Sequence, residues 1–212
     1  MNMYTPGSDT VRIEPSLIAR IFIGLLVGAL SFSPETLRAQ EMTLDLDPPS
    51  TRIEFTLPAT LHTVHGTFIL KSGTIHFNPS TGSVGGVVLV DATSGDSGDK
   101  SRDHKMHREV LESQRYPDIT FTPTKMSGKL ELQGDSVIQV EGILRLHGTD
   151  HPLTLTLPLQ MKGDTATVKT HFAIPYVAWG LKNPSTFLLH VADTVDIDIA
   201  ATGRISPVQP NR

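Results

Sequence analysis

The chain has no cysteine, one tryptophan, and only 6% aromatic residues in all. No disulfide can staple it and no thiolate can ligate a metal or attack a substrate, so packing must supply its stability. Clustered positive charge is missing as well, and the net charge is −4. A mildly acidic chain without a basic stripe excludes the electrostatic footprint of a nucleic-acid binder and a polybasic patch for anionic membranes. No phosphate loop, dinucleotide fingerprint or nucleophile elbow occurs. Long apolar runs are scarce too. The longest, Ile21 to Phe32, falls well short of the roughly 20 residues that a membrane helix needs.

That run has a different use. Arg12 and Arg20 precede it and the polar stretch "SPETLRAQ" follows, with the small residue Ala39 near its end. A basic lead, an apolar run of about 12 residues and a small residue read as a secretory signal peptide cleaved near Ala39–Gln40. No cysteine follows to carry a lipid anchor. Arg12, Arg20 and Arg38 balance Asp9, Glu14 and Glu35, so cleavage leaves the net charge unchanged. Roughly 170 residues remain, enough for one domain.

From Thr51 onward the dominant period is two. Ile53, Phe55 and Leu57 share a face of "RIEFTL"; Ile119 and Phe121 share one of "DITFTPTKM". Ile138, Val140, Gly142, Leu144 and Leu146 alternate in the next segment, and Leu153, Leu155, Leu157, Leu159 and Met161 in the one after. Val168, Phe172 and Ile174, then Val195, Ile197, Ile199 and Ala201, continue the pattern. Such alternation marks half-buried antiparallel strands. Turn chemistry separates them: "NPSTG" with Gly82, "QGD", "HGTD" and "KGD". Two stretches interrupt. "DKSRDHKMHREVLESQR", Asp99 to Arg115, carries Met106, Val110 and Leu111 at helical spacing and reads as a short helix or ordered loop on a rim. "PYVAWGLKNPS", 175–185, is the second. About eight strands joined by hairpins and one crossover predict a closed barrel, because closure removes unpaired edges. An eight-stranded barrel either packs solid or holds one small ligand, and the pattern leaves both open.

Other motifs carry less. "SGDSGD", 94–99, contains the Gly-Asp-Ser-Gly string of trypsin-like proteases, but Ser97 lies too early in too short a chain for that fold. The pairs His62/His65, His104/His107 and His147/His151 each lack a third ligand for a zinc site. Asp91, Asp96, Asp99 and Asp103 lack the spacing of a calcium loop. The apolar inventory says more. Phe55, Phe68, Val88, Phe121, Leu155 and Phe172 would line a dry tube, with Gly85, Gly86 and Gly142 leaving volume unfilled.

Four stretches carry a resemblance: "VHGTFILKSGTIHF", "SRDHKMHREVLESQRYPDITFTP", "VEGILRLHGTDHPLTL" and "IPYVAWGLKNPSTFLLHVADTVDIDI". In this order they resemble the YceI-like family, exported lipocalin-like barrels associated with polyisoprenoid and other long-chain lipids. The resemblance runs from Asp47 to Gly203, with Tyr116-Pro117 and Leu146-His147-Gly148 its most specific marks. The chain departs from the family at "HKMHREVLESQ", which bears on the mouth of the barrel. The resemblance implies a ligand class and supplies no catalytic residue.

The expectations are these. The fold is all-β, an eight-stranded antiparallel up-and-down barrel with one short helix on the rim, over 41–206, between the leader 1–40 and a disordered tail 207–212. The protein is periplasmic or secreted, is not an enzyme, and has no metal or cofactor other than a lipid ligand. Phe55, Phe68, Val88, Phe121, Leu155 and Phe172 contact an isoprenoid or fatty-acid tail. Trp179 and Phe187 stand at a mouth, and Arg102 and His104 meet a polar head. The partner is a long-chain lipid or isoprenoid, with no nucleic acid and no stable membrane insertion, the protein being a monomer or homodimer. The alternative is a metal-binding or surface-interaction barrel without a lipid.

Overall fold

A computed structural model describes Met1, Met3 and residues 41–60 and 62–208. The expected leader, Met1 and Met3 apart, lies outside the described residues, as does the chain from 209 onward. The fold occupies the unit Arg38–Arg212.

The described residues form strands β1 (Met42–Leu46), β2 (Arg52–Leu57), β3 (Val64–Phe77), β4 (Val84–Asp96), β5 (Asp118–Ser127), β6 (Gly134–Leu146), β7 (Thr149–Lys162), β8 (Thr165–Ile174) and β9 (Val195–Pro207), with helix α1 (Lys100–Lys105). All pairings are antiparallel, and both β1 and β2 bond to β3 on one side and β9 on the other. They are two halves of one strand position. Between them Pro48 and Pro49 lack the N–H groups a ladder needs, and a single tight turn replaces pairing, with Ser50 N–H donating to the Asp47 carbonyl at 3.1 Å. Eight positions therefore close a ring, each strand beside its neighbour in sequence. The barrel is up-and-down throughout. The expected crossover is absent because both long connections join adjacent strands.

Every alternating face read from the sequence points inward. β1 escaped that reading, since Leu44 and Leu46 form too short a pattern directly behind the expected cleavage site. In two strands the inward set changes parity. In β3 it passes from Phe68 and Leu70 to Ile75 and Phe77, across a register shift between Leu70 and Ser72. In β5 it passes from Phe121 and Pro123 to Met126, across a shift between Pro123 and Lys125. A bulge inserts one residue and so exchanges the two faces beyond it. Lys71, thrown outward at the first bulge, bonds Asp118 at 2.7 Å.

One barrel end carries the tight turns after β3, β5 and β7. The other carries residues 58–60 and 62–63, the segment from α1 to β5, the His147-Gly148 turn and the long connection 175–194. Asp99 caps α1 by accepting from Ser101 and Arg102 N–H, and a π-helical turn, Met106–Val110, follows directly. β9 extends through Pro207, and Val208 N–H donates to the Glu41 carbonyl at 2.9 Å, so pairing reaches beyond the expected domain boundary. Among the described residues, no helix is long and apolar enough to cross a membrane.

Candidate functional site

The barrel interior is open. A cavity of about 860 Å³ runs through it, within the range of small-molecule sites. No large side chain among the described residues is fully buried, and the inward residues Phe68, Phe121, Leu153, Leu157, Leu159 and Phe172 are only half-buried. A solid core would cover them.

The walls hold two apolar clusters. Ile53, Phe55, Leu70, Leu144, Leu146, Ile174 and Ile197 pack toward the end with the long connections, joined there by Tyr176 and Leu181. Phe77, Met126, Ile138 and Val140 close the far end. The volume does not come from missing side chains at glycine. A Cβ on Gly142 would lie 2.5 Å from the Phe121 ring, so that ring already fills the space expected to be vacant. Gly86 backs onto the Thr74 carbonyl, and only beside Gly85 is there open space. The cavity follows from barrel geometry: eight tilted strands enclose more room than these side chains fill.

Of the residues expected at the ligand, Phe55, Phe68, Val88, Phe121, Leu155 and Phe172 line the cavity, and Arg102 and His104 line its mouth. Two do not. Trp179 stacks on His151 at 4.1 Å with the rings 4° from parallel, and so serves the barrel wall. Phe187 projects into solvent, 102% exposed, beside Leu188 at 82%. Sequence reasoning passed over Tyr176, Leu181, Leu189 and Val191, which reach the cavity from the 175–194 connection. Their apolar spacing there follows neither helix nor strand. Tyr176 donates its hydroxyl to the Ala192 carbonyl at 2.7 Å, and burial pushes its pKa up to about 12.

Among the described residues, every fully charged one lining the cavity falls between Asp99 and Glu109. Arg102 and Asp103 converge on Ser97. Arg102 donates to the Ser97 hydroxyl and carbonyl, both at 2.8 Å, while Asp103 accepts from Ser97 N–H at 2.9 Å and from its hydroxyl. The Gly-Asp-Ser-Gly string is thus an anchor for the rim helix. Glu109 accepts from Arg108 at 2.7 Å and Lys182 at 2.9 Å. These bonds, Arg108 foremost, hold its carboxyl at about 2. Lys105 donates to the Pro184 carbonyl at 2.8 Å. Two bonds therefore tie the rim segment to the long connection across the mouth.

His107 and His147, one from each of two histidine pairs, serve the fold. His107 donates from Nε2 to the Gly95 carbonyl at 2.8 Å and accepts at Nδ1 from Ser113, 3.0 Å away. His147 and Gly148 are the central turn residues, at φ 52° and 76°, as a two-residue hairpin of this type requires. His147 Nε2 lies 3.5 Å from Glu112, without the geometry of a hydrogen bond. No group of three residues able to hold a metal occurs among the described residues.

Comparison with known proteins yields a match to a family model described as YceI-like domain over residues 44–203. A UPF0312 protein of Yersinia enterocolitica is 30% identical over 150 residues, 68% of this chain and 74% of that protein. Protein YceI of Salmonella newport is 29% identical over 147 residues, 67% and 73% of the two chains. Among solved structures, BcnA of Burkholderia cenocepacia superposes with a TM-score of 0.61 at 19% identity, covering 74% of this chain and 98% of that one. A polyisoprenoid binding domain from Saccharophagus degradans, implicated in plant cell wall breakdown, superposes at 0.58 with 17% identity, over 77% and 98%.

Proposed function

The chain belongs to the YceI-like domain family, and from that premise we propose that it is an exported carrier that holds one long apolar lipid, an isoprenoid or fatty-acid derivative, inside its barrel. The observation that carries this reading is the open apolar cavity of about 860 Å³. The polyisoprenoid binding of a structural neighbour supports the ligand class. The protein works by sequestration, with the tail leaving water for the barrel and the head group staying at the mouth.

Magnitudes favour a long ligand. Each buried methylene contributes about 0.8 kcal/mol, while association costs at least about 4 kcal/mol in lost freedom. A tail of a few carbons gains nothing net. A dozen gain about 10 kcal/mol before that cost.

The test is mass spectrometry of an organic extract of the purified protein, beside the native mass of the intact chain. A stoichiometric long-chain lipid is expected, absent from a Leu155→Trp variant that fills the cavity but still folds. An empty extract, with no melting shift on adding isoprenoid quinones or fatty acids, would refute the carrier reading. The mass of the mature chain tests export: cleavage near Ala39–Gln40 is expected.

A further inference from the structure

We propose that the cargo carries an anionic head group, a carboxylate or a phosphate, received at the mouth by Arg102 and Lys105; this rests on the carrier reading and narrows its ligand. The two residues are three apart on α1, which places them on one helix face. Both are half-buried and both line the cavity.

Among the described residues neither has a carboxylate at ion-pair distance, although the Arg102 charge reaches Asp99 and helps to lower its pKa. The Lys105 ammonium bonds, among the described residues, only the Pro184 carbonyl, at 2.8 Å. Among the same residues, the Arg102 guanidinium bonds only Ser97, through its hydroxyl and carbonyl oxygens. The carboxylates nearby are already engaged: Asp103 by Ser97, Asp99 by Ser101 and Arg102 N–H, and Glu109 by Arg108 and Lys182. An ammonium has three donors and a guanidinium five, so most donors on this face remain for a ligand.

A cation drawn partly out of water is costly until an opposite charge arrives. Here two such cations stand where an apolar tube meets solvent. A lipid whose tail fills the tube brings its head to them. A carboxylate or phosphate would accept charge-assisted hydrogen bonds from both. A neutral hydroxyl or quinone oxygen satisfies one donor and no charge, and an ammonium head is repelled. Arg108 adds a third cation at the rim, so cations outnumber the carboxylates Asp99 and Glu109 among the described lining residues.

The experiment uses the delipidated full-length mature protein and displacement of an apolar fluorescent probe by ligands matched in tail. The pairs are palmitic acid against hexadecanol, and a long-chain prenyl phosphate against its prenol. The charged member is expected to bind about tenfold or more tighter than its neutral partner, and the gap is expected to narrow with added salt. Lys105→Met should shrink the gap, Lys105→Arg should restore it, and Lys129→Met, at the far end of the barrel, should leave it unchanged. A larger gap for one pair identifies the source as a fatty acid or a prenyl phosphate. Equal binding of charged and neutral members, or a gap that survives Lys105→Met combined with Arg102→Gln, overturns the inference while carriage of a lipid stands. Binding of neither member, together with an empty extract, removes the carrier reading itself.

Discussion

Tyr116 and the His147-Gly148 turn, the two most specific marks in the sequence, meet each other in the structure. The Tyr116 and His147 rings lie 4.5 Å apart, and a Cβ on Gly148 would come within 2.6 Å of the Tyr116 ring. Gly148 also sits at φ 76°, where a side chain is disfavoured by about 1–2 kcal/mol. Gly148→Ala is therefore expected to lower unfolding stability by about that amount, read from urea titration, with little effect on lipid affinity. His151 has a different signature. Burial against Trp179 pushes its pKa below the ordinary 6.5, with Asp150 pulling weakly the other way. The unfolded chain then takes up a proton at higher pH than the folded one. Its contribution is intact above pH 6.5 and declines as pH falls below that value. Melting temperatures measured from roughly pH 7 to pH 5 should fall less steeply for His151→Leu than for the parent chain.

The rim segment and the 175–194 connection act together as elements. Neither is stable alone, since α1 has six residues and an isolated helix needs about 12–15. The cap at Asp99, the clasp on Ser97, and the bonds Lys105–Pro184 and Glu109–Lys182 hold them over the mouth. Asp99→Ala removes two accepted N–H bonds and should cost about 1 kcal/mol, measurable by denaturation. Glu109→Gln keeps the shape but gives up the charge that ties Lys182, so lipid release into acceptor vesicles is expected to quicken while stability barely changes, as is usual for an exposed pair. The depressed Glu109 pKa gives the sign of the pH effect. The clasp is intact above pH 4.5 and loosens as pH falls toward 2, so release should be insensitive to pH across the neutral range.

At the scale of the molecule, the barrel is a closed ring with one apolar interior, and its selectivity for tail length follows from volume rather than from a directed contact. Affinity should rise about fourfold per added methylene, then level off once the tail fills about 860 Å³. Calorimetry on saturated fatty acids of increasing length would show this. A flat response to tail length would mean that binding, if any, lies outside the tube.

Alternation of leucine, valine and isoleucine with threonine and lysine settles which side of each strand leaves water, because the side-chain period of a strand is two. Strand identity, the turns at Gly82 and Gly148, and the inward placement of Phe55, Phe121, Leu155 and Phe172 were therefore legible in the chain. Where local pattern gave way to contacts between distant residues, the sequence was silent. Pairing of β1 and β2 with the same two neighbours, the parity changes in β3 and β5, and the arrival of Tyr176, Leu181 and Val191 at the cavity all depend on long-range register. Trp179 and Phe187 show the same limit from the other side: both are apolar, one stacks on a histidine of β7, and the other faces solvent. Whether the barrel would be solid or open could not be read from composition either. Interior volume is set by how many strands close and how they tilt, whereas side-chain volume is set residue by residue, and only the assembled ring shows the difference between them.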